Sequence, residues 1–380
     1  MNEEYDKIKP YDDAEAVKAL GRVSNHIMLP AISKYLFPEL PSDTLRKLLK
    51  NVKSIEDFQY TVMTRVVSAI LGKTTSGFTY SGIENIMGTD RKFLAISNHR
   101  DIILDPAITQ YVLFHGGIPM TEICVGNNLL SSKLVEDLMR SNRMITVIRG
   151  ISARQLYLSS KILSSYIRSR ITSGASSVWI AQREGRTKDG LDKTEQGLLK
   201  MFDMSGEKGF CDNFKELNII PLSISYEYEP CDAKKARELY IKQLNGGEYK
   251  KKHNEDLHSI LTGIRQHKGH VHLTIGKPLS AEGIEEASKW TGNDRYQAIR
   301  GLLDKSIIEN YHLYKTNYMG YDLMTGGNKY SDKYNAEDLE AFRKYVDHKL
   351  GKIEKRYQSD ELRQIFYRIY GNPVLSKENL

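Results

Sequence analysis

The sequence predicts an α/β protein, with a mixed, largely parallel sheet flanked by helices, an N-terminal helical region and a helical C-terminal extension. Between residues 91 and 285, short apolar runs of strand length alternate with longer helical stretches, which is typical of an α/β sheet. The residues before this region carry apolar stripes at helical spacing, and those after it are polar, tyrosine-rich and again helical in pattern. We therefore expect three units, over residues 1–90, 91–285 and 286–380.

Composition limits the class of protein. The chain has 380 residues and a net charge of +7, with 40% hydrophobic and 27% charged residues. A mild positive charge favours anionic partners, such as phosphorylated substrates, an anionic membrane surface or nucleic acid. No apolar run approaches the roughly 20 residues that span a bilayer, so we expect any membrane contact to be peripheral. The three cysteines show no paired spacing, which favours a reduced, cytoplasmic setting over a disulfide framework or a zinc site.

The N-terminal unit is predicted to be helical. Apolar residues recur at helical spacing from Ala14 until Pro30 interrupts the pattern. Ser54 to Asp57 resembles a capping box, and a single apolar stripe follows it. That stripe consists of Phe58, Val62, Val66 and Ile70. Stripes of this kind form core, so no chemistry is assigned to this unit.

The middle unit contains six apolar runs that we predict to be strands. They are Phe93–Ile96, Glu122–Val125, Met144–Ile148, Val178–Ala181, Ile219–Ser225 and Val271–Ile275. Helices are expected near 106–114, 131–140, 152–173 and 194–204. The lysine-rich segment 231–269 is expected to be a surface excursion with one helix. In the last unit, 336–355 is expected to be helical and Tyr311–Tyr334, with its glycines, to be a long connection.

His99 directly follows the first predicted strand, and two carboxylates, Asp101 and Asp105, come within the next six residues. A general base needs an imidazole and a carboxylate that can fix its tautomer. Ligand sites in open α/β sheets lie outside the carboxyl ends of the strands. The sequence therefore predicts a base here that takes a proton from an alcohol, and it leaves the choice of carboxylate open.

Two later strands also end in charged residues. Arg149 follows Met144–Ile148, and Glu184-Gly185-Arg186 follows Val178–Ala181. If the strands are parallel neighbours, both guanidinium groups lie on the same rim as His99, where they suit phosphate oxygens. Pro221 lies inside the apolar run that begins at Ile219, which predicts an edge strand or a bulge.

Taken in order, these blocks resemble the glycerolipid acyltransferases, which transfer a fatty acyl group to glycerol 3-phosphate, lysophosphatidate or related alcohols. Ser97-Asn98-His99 and Asp105-Pro106-Ala107 are most similar to the first block of the soluble plastid glycerol-3-phosphate acyltransferases. The resemblance continues through Gly126–Leu130, Val178–Ala181 and Glu184–Arg186, and it covers roughly residues 90–280.

One departure from the family pattern concerns the spacing of the first block. The family has four residues between its histidine and aspartate, whereas five separate His99 from Asp105. Either a bulge at the helix start absorbs the extra residue, as π-bulges do at functional sites, or Asp101 is the partner. The Asp105-Pro106-Ala107 match favours Asp105.

The resemblance implies a role for each site residue. His99 would deprotonate the acceptor hydroxyl while Asp105, or alternatively Asp101, fixes its tautomer. Backbone amides near the helix start would stabilise the oxyanion. The residues expected to bind the substrate phosphate are Arg149, Arg186, Lys188 and Arg100. Supporting roles fall to Asn98, Glu184, Gly185 and Pro221. Of these, Glu184 is expected to orient an arginine or a loop rather than to transfer a proton.

The resemblance also implies the partners. We expect an O-acyltransferase of phospholipid biosynthesis with acyl-CoA or acyl-ACP (acyl carrier protein) as donor, a phosphate-bearing glycerol or lysolipid as acceptor, and no bound cofactor or metal. The protein would be cytoplasmic, peripheral at the inner face of the membrane, with no nucleic acid partner. Two alternatives remain open. One is acylation of a lyso-aminolipid or another lysolipid. The other is a non-enzymatic protein that binds anionic surfaces, suggested by the net charge of +7 and the lysine-rich segment.

Overall fold

The computed structural model describes residues 3–130, 132–150, 152–252 and 254–380, which contain a seven-stranded sheet. The strands are β1 (Gly77–Ser81), β2 (Leu94–Ser97), β3 (Glu122–Gly126), β4 (Met144–Val147), β5 (Val178–Ala181), β6 (Ile219–Tyr226) and β7 (His270–Ile275). They are ordered β1-β7-β6-β2-β5-β3-β4, and only β6 and β7 pair antiparallel. The predicted mixed, largely parallel α/β sheet is confirmed.

Helices precede, connect and follow the strands. They are α1 (Asp13–Ser24), α2 (Leu29–Leu36), α3 (Thr44–Asn51), α4 (Ile55–Phe58), α5 (Thr64–Thr74), α6 (Leu104–His115), α7 (Lys133–Ser141), α8 (Ala153–Thr172), α9 (Gln196–Asp203), α10 (Phe210–Lys215), α11 (Asp232–Leu244), α12 (Glu255–Arg265), α13 (Ala281–Ser288), α14 (Asp294–Glu309), α15 (Lys315–Thr325), α16 (Ala336–Leu350) and α17 (Asp360–Glu378). Residue 131, the predicted start of α7, lies outside the described residues. Among the helices that are described, none has the length and apolar character of a membrane span.

The sheet is covered on both faces, which explains why its central strands are continuous apolar runs. Successive residues of β2 point to opposite faces: Ala95 joins the core under the N-terminal helices, whereas Leu94 and Ile96 join the core under α8, α9 and α14. The six predicted strands all exist. The sequence pattern missed β1 because this edge strand, GFTYS, is only half-buried or exposed and has no apolar run.

The position of Pro221 differs from the prediction. β6 lies between β2 and β7, so the expectation of an edge strand is wrong. Pro221 pairs with Ile96 of β2, and its carbonyl accepts a hydrogen bond of 2.8 Å from the Gly276 amide, just beyond β7. The N–H and C=O groups of one strand residue point to the same neighbouring strand. The N–H that proline lacks would therefore face β7 rather than β2. The regular ladder with β7 starts one residue later, at Leu222, so only one bond at its end is lost.

Two predictions for the C-terminal half are also wrong. Segment 231–269 contains two helices, α11 and α12, and α11 is packed on α17 with Lys235 and Ala236 buried. The supposed connection 311–334 contains α15, which is packed on α17. Gly320, which the sequence pattern places in the connection, lies inside α15. A Cβ there would lie 2.6 Å from Cβ of Tyr370 in α17. The glycine therefore permits close approach of two helices.

Candidate active site

His99 lies in the turn between β2 and α6 and is bonded to Asp105 in the first turn of α6. The distance from His99 Nδ1 to Asp105 Oδ2 is 2.9 Å. A carboxylate only accepts hydrogen bonds, so Nδ1 carries the proton and Nε2 keeps its lone pair. The rings of His99 and Trp179 pack edge to face, with 6.1 Å between ring centroids. The arrangement is that of an oriented base.

Asp105 is itself held from several directions. Its Oδ2 also accepts from the amides of Arg100 at 2.6 Å and Asp101 at 2.9 Å, and its Oδ1 accepts from the Tyr226 hydroxyl at 2.7 Å. Burial, with the nearby Asp105 charge, raises the pKa of Tyr226 well above its ordinary value, so this phenol remains a donor. Sequence reasoning missed Tyr226. The available signal was its place at the end of the apolar run that pairs with β2.

Asp101 has a different task. Its Oδ1 accepts from the amides of Ile103 and Leu104, each at 2.9 Å, and so caps the start of α6. The extra residue of the first block therefore lies in the turn before α6, and the expected bulge in the helix is wrong. The amides of Arg100, Asp101, Ile103 and Leu104 all donate to these two carboxylates. These four amides are consequently not available to an oxyanion, and the role expected for backbone amides near the helix start stays a prediction.

Arg100 does not reach the site, so the predicted phosphate contact is not supported. Its side chain is buried, and its guanidinium donates to Asp192 at 2.6 Å and to Glu229 at 3.4 Å. Lys235 joins this network by donating to Glu229 at 2.5 Å and to the Arg100 carbonyl at 2.7 Å. The amide of Glu229 donates to the hydroxyl of Tyr370 in α17 at 3.1 Å. Arg100 thus anchors the turn between β2 and α6, which carries His99, to the C-terminal helices.

His99 lines a cavity of about 150 Å³ outside the carboxyl ends of β2, β3, β4 and β5. Its apolar lining consists of Met63, Ile102, Ile103, Pro106, Ala107, Ile123, Val125, Leu129, Met139, Met144, Trp179 and Ala181. Its charged lining consists of Arg149, Arg183, Arg186, Lys188, Lys251 and Asp256. Cations outnumber carboxylates by five to one in this lining, so an anionic group is favoured beside the base.

The predicted cationic residues differ in whether a carboxylate of the protein already pairs with their side chains. Arg149 lies 3.6 Å from exposed Glu184, which fits the orienting role expected for Glu184. Lys188 forms an ion pair with Glu238, and burial lowers the pKa of Lys188. For Arg186, the buried Nη1 atom has no hydrogen-bond partner among the described residues. A buried guanidinium nitrogen that faces a cavity without a partner is suited to a phosphate oxygen.

Two further predicted residues, Asn98 and Gly185, lie at or beside the cavity, together with Arg183, which the sequence analysis did not predict. Asn98 is buried and ties Asp192 to β6, donating to Asp192 at 3.0 Å and exchanging hydrogen bonds with the backbone of Ile224. Gly185 lines the cavity with φ of +69°, which glycine adopts without strain. Arg183, two residues after β5, also lines the cavity, and its buried Nε has no partner within the described chain. Sequence reasoning missed it, although it directly precedes Glu184.

Comparison with known proteins gives a family match for the part of the chain that contains this site. Residues 77–226 match the family model described as Acyltransferase, and this range runs from β1 to Tyr226 and includes the His99–Asp105 pair. A search of curated proteins found no match. Residues 77–226 therefore match an acyltransferase domain, and this match supports a general function of acyl transfer in lipid biosynthesis.

Proposed function

We propose that the protein transfers a fatty acyl group from acyl-CoA or acyl-ACP to the hydroxyl of glycerol 3-phosphate or lysophosphatidate. One observation carries the proposal: the cavity that contains His99 is lined by both an apolar set and a cationic set. The apolar set suits an acyl chain, and Arg149, Arg183 and Arg186 suit a phosphate. The His99–Asp105 pair supplies the base between them.

In the proposed mechanism, His99 Nε2 takes the proton of the acceptor hydroxyl, while Asp105 stabilises the imidazolium through Nδ1–H. The acceptor oxygen attacks the thioester carbonyl carbon and a C–O bond forms. The tetrahedral intermediate then collapses, the C–S bond breaks, and His99 returns the proton to the leaving thiolate. The products are the ester and the free thiol carrier. No covalent enzyme intermediate is required.

The substrate assignment is tested with the purified protein by offering each acceptor with each donor. Glycerol 3-phosphate, lysophosphatidate and a lyso-aminolipid are incubated with acyl-CoA and with acyl-ACP, and the lipid products are resolved by mass spectrometry. We expect transfer to a phosphate-bearing glycerol acceptor. Transfer only to the lyso-aminolipid would show that the acceptor is a lyso-aminolipid instead. The absence of transfer to any phosphate-bearing acceptor would refute the proposal.

The phosphate contact predicts a change in KM. Arg186→Gln removes a charge-assisted contact of about 1.5–3 kcal/mol, so KM for the phosphate-bearing acceptor should rise about 10- to 100-fold. The KM for the acyl donor should change much less. Arg343→Gln removes the same charge from exposed α16 and serves as the matched control. Equal acceptor KM values for both variants and the wild type would show that Arg186 does not contact the phosphate.

We further propose that the start of α8 contacts the membrane. Its residues 153–158 are all exposed, and Leu156, Tyr157 and Leu158 are 47%, 60% and 50% exposed. Leu156 also lines a second cavity, of about 270 Å³, which shares Arg149 and Arg183 with the catalytic one. An apolar helix end with a neighbouring arginine, Arg154, is suited to the interface of an anionic bilayer.

Vesicle flotation tests the membrane contact. Replacement of Leu156, Tyr157 and Leu158 by serine should lower binding to anionic vesicles by about tenfold or more, because apolar area no longer leaves water. The control replaces Ile27, Met28 and Ile32, which are exposed apolar residues at and near α2, by serine. Binding that falls only in the control would move the contact to α2. Failure of the wild type to float at both low and high salt would refute it.

A further inference from the structure

A second large concave surface lies between α11, α12 and α16, with a volume of about 870 Å³. We call it the cationic cavity and define it by Lys234, Arg237, Arg265, Lys349, Lys352, His258, His267 and His348. It shares no lining residue with the cavity that contains His99. Its volume is in the range of small-molecule sites. The acyl-transfer chemistry proposed above does not use it.

The charges around the cationic cavity do not balance. Five lysine and arginine side chains face two carboxylates, Asp232 and Glu354, which leaves a surplus of three positive charges. Lys349 lies 3.1 Å from Asp232 and Arg237 lies 2.6 Å from Glu354, so both carboxylates are already paired. Within the described chain, Lys234 and Lys352 have no carboxylate oxygen within 4.0 Å. A concave surface with unpaired charges of one sign concentrates ions of the opposite sign.

The floor of the cavity is rigid. Asp232 is buried and accepts hydrogen bonds from the hydroxyls of Tyr345 and Tyr370, the latter at 2.9 Å. The thiol of Cys231, also buried, donates to the carbonyl of Ser259 in α12. Four of the five cations therefore project from three helices that these hydrogen bonds connect, and Lys352 follows the end of α16. A rigid cluster loses little conformational entropy when a ligand binds.

We propose that the cationic cavity binds a small molecule that carries two or more phosphate groups. Several phosphate oxygens in one compact ligand can contact Lys234, Lys352 and Lys349 together, which a single carboxylate cannot do. The concave shape and volume favour a small polyanion over a flat bilayer. The three histidines of the wall add hydrogen-bond donors or acceptors for the rest of the ligand.

The same ligand chemistry has two sources, a free nucleotide or oligophosphate and the nucleotide part of coenzyme A. The cavity lies next to the candidate active site because α12 contributes to both. Asp256 of α12 lines the catalytic cavity, and His258 and Arg265 line the cationic one. A Cβ on Gly263 of α12 would lie 2.1 Å from Asp101 Oδ2, so the helix also touches the catalytic turn. A ligand bound in the cationic cavity can therefore affect the turn between β2 and α6 through α12, whichever of the two sources supplies it.

Isothermal titration calorimetry of the full chain tests the proposal with tripolyphosphate, ADP, coenzyme A and inorganic phosphate. We expect tripolyphosphate to bind, more weakly at high salt, and the variant with Lys234→Glu and Lys352→Glu to bind it at least about tenfold more weakly. Lys277→Glu, which changes an exposed lysine outside both cavities, should bind like the wild type. Thermal melts establish that each variant is folded.

The other titrations separate the sources and the competing explanations. Loss of both ADP and coenzyme A binding in the double variant supports a general polyphosphate site, and loss of coenzyme A binding alone assigns the site to the donor. Wild-type affinity in the double variant, or no heat with any polyphosphate, would overturn the proposal. So would a loss of anionic vesicle binding with tripolyphosphate binding unchanged, because the surface would then be a membrane contact. None of these outcomes depends on acyl transfer.

Discussion

We expect His99→Ala to lower kcat for acyl transfer by about 10²- to 10⁴-fold, the range that a positioned general base contributes. The imidazole lies against Trp179 and its Nδ1 is fixed by Asp105, so no neighbouring group replaces Nε2. His99 is at the wall of a cavity, so the loss of its ring should leave the melting temperature nearly unchanged. Single-turnover assays at saturating donor and acceptor measure the chemical step directly. Wild-type turnover in this variant would refute the proposed mechanism.

The two aspartates provide the internal comparison. Asp105→Asn removes the negative charge that stabilises the imidazolium formed at His99, and we expect a fall in kcat of about 10²- to 10⁴-fold. Asp101→Asn keeps an oxygen that can accept from the amides of Ile103 and Leu104, so activity should stay within about tenfold of the wild type. The opposite ranking would show that Asp101 is the partner of His99.

Arg100→Met should destabilise the fold by about 3–5 kcal/mol, because it leaves Asp192 buried without its cation and leaves Glu229 with Lys235 alone. Urea unfolding followed by circular dichroism measures the free energy of unfolding. The control is Arg186→Gln, whose side chain faces the cavity and should affect acceptor KM with little effect on unfolding.

This pair of arginine variants separates two roles that the sequence could not. If Arg100→Met has wild-type stability and a raised acceptor KM, Arg100 contacts the substrate phosphate as the family resemblance implied. A large loss of stability assigns it to the fold. An intermediate result is resolved by measuring acceptor KM under conditions in which the variant is fully folded.

The sequence predicted the site best where a polar residue follows an apolar strand that is buried in the sheet. Ile96 and Trp179 lie in strands buried on both faces, so their apolar runs were visible. His99 and Arg186 lie in the loops that follow these two strands. Tyr226 was missed because its contact with Asp105 spans 121 positions in the chain. The surroundings of Arg100 show a related limit: nothing local shows that Asp192 and Glu229 surround it.

The C-terminal region shows a second limit of sequence reasoning. The sequence pattern places Gly320 in a connection, but it lies in α15, where a Cβ would be 2.6 Å from Cβ of Tyr370 in α17. Local pattern cannot separate these two uses of glycine, since both require the absence of a side chain. The division into units at residues 90 and 285 stays a prediction, as does the closest likeness to the soluble plastid enzymes.

The network around Arg100 has a consequence for how the protein is made. Residues 98–105 leave the ribosome long before α17, yet Glu229 in this network is bound to Tyr370 of that helix. A Cβ on Gly190, whose carbonyl accepts from Arg100 at 3.3 Å, would lie 2.4 Å from the carbonyl of Ile369, so α17 also packs against this side. A nascent chain that ends before α17 contains His99 but lacks this support for the turn that carries it. Catalytic competence should therefore arise late in synthesis, after the last helix has docked.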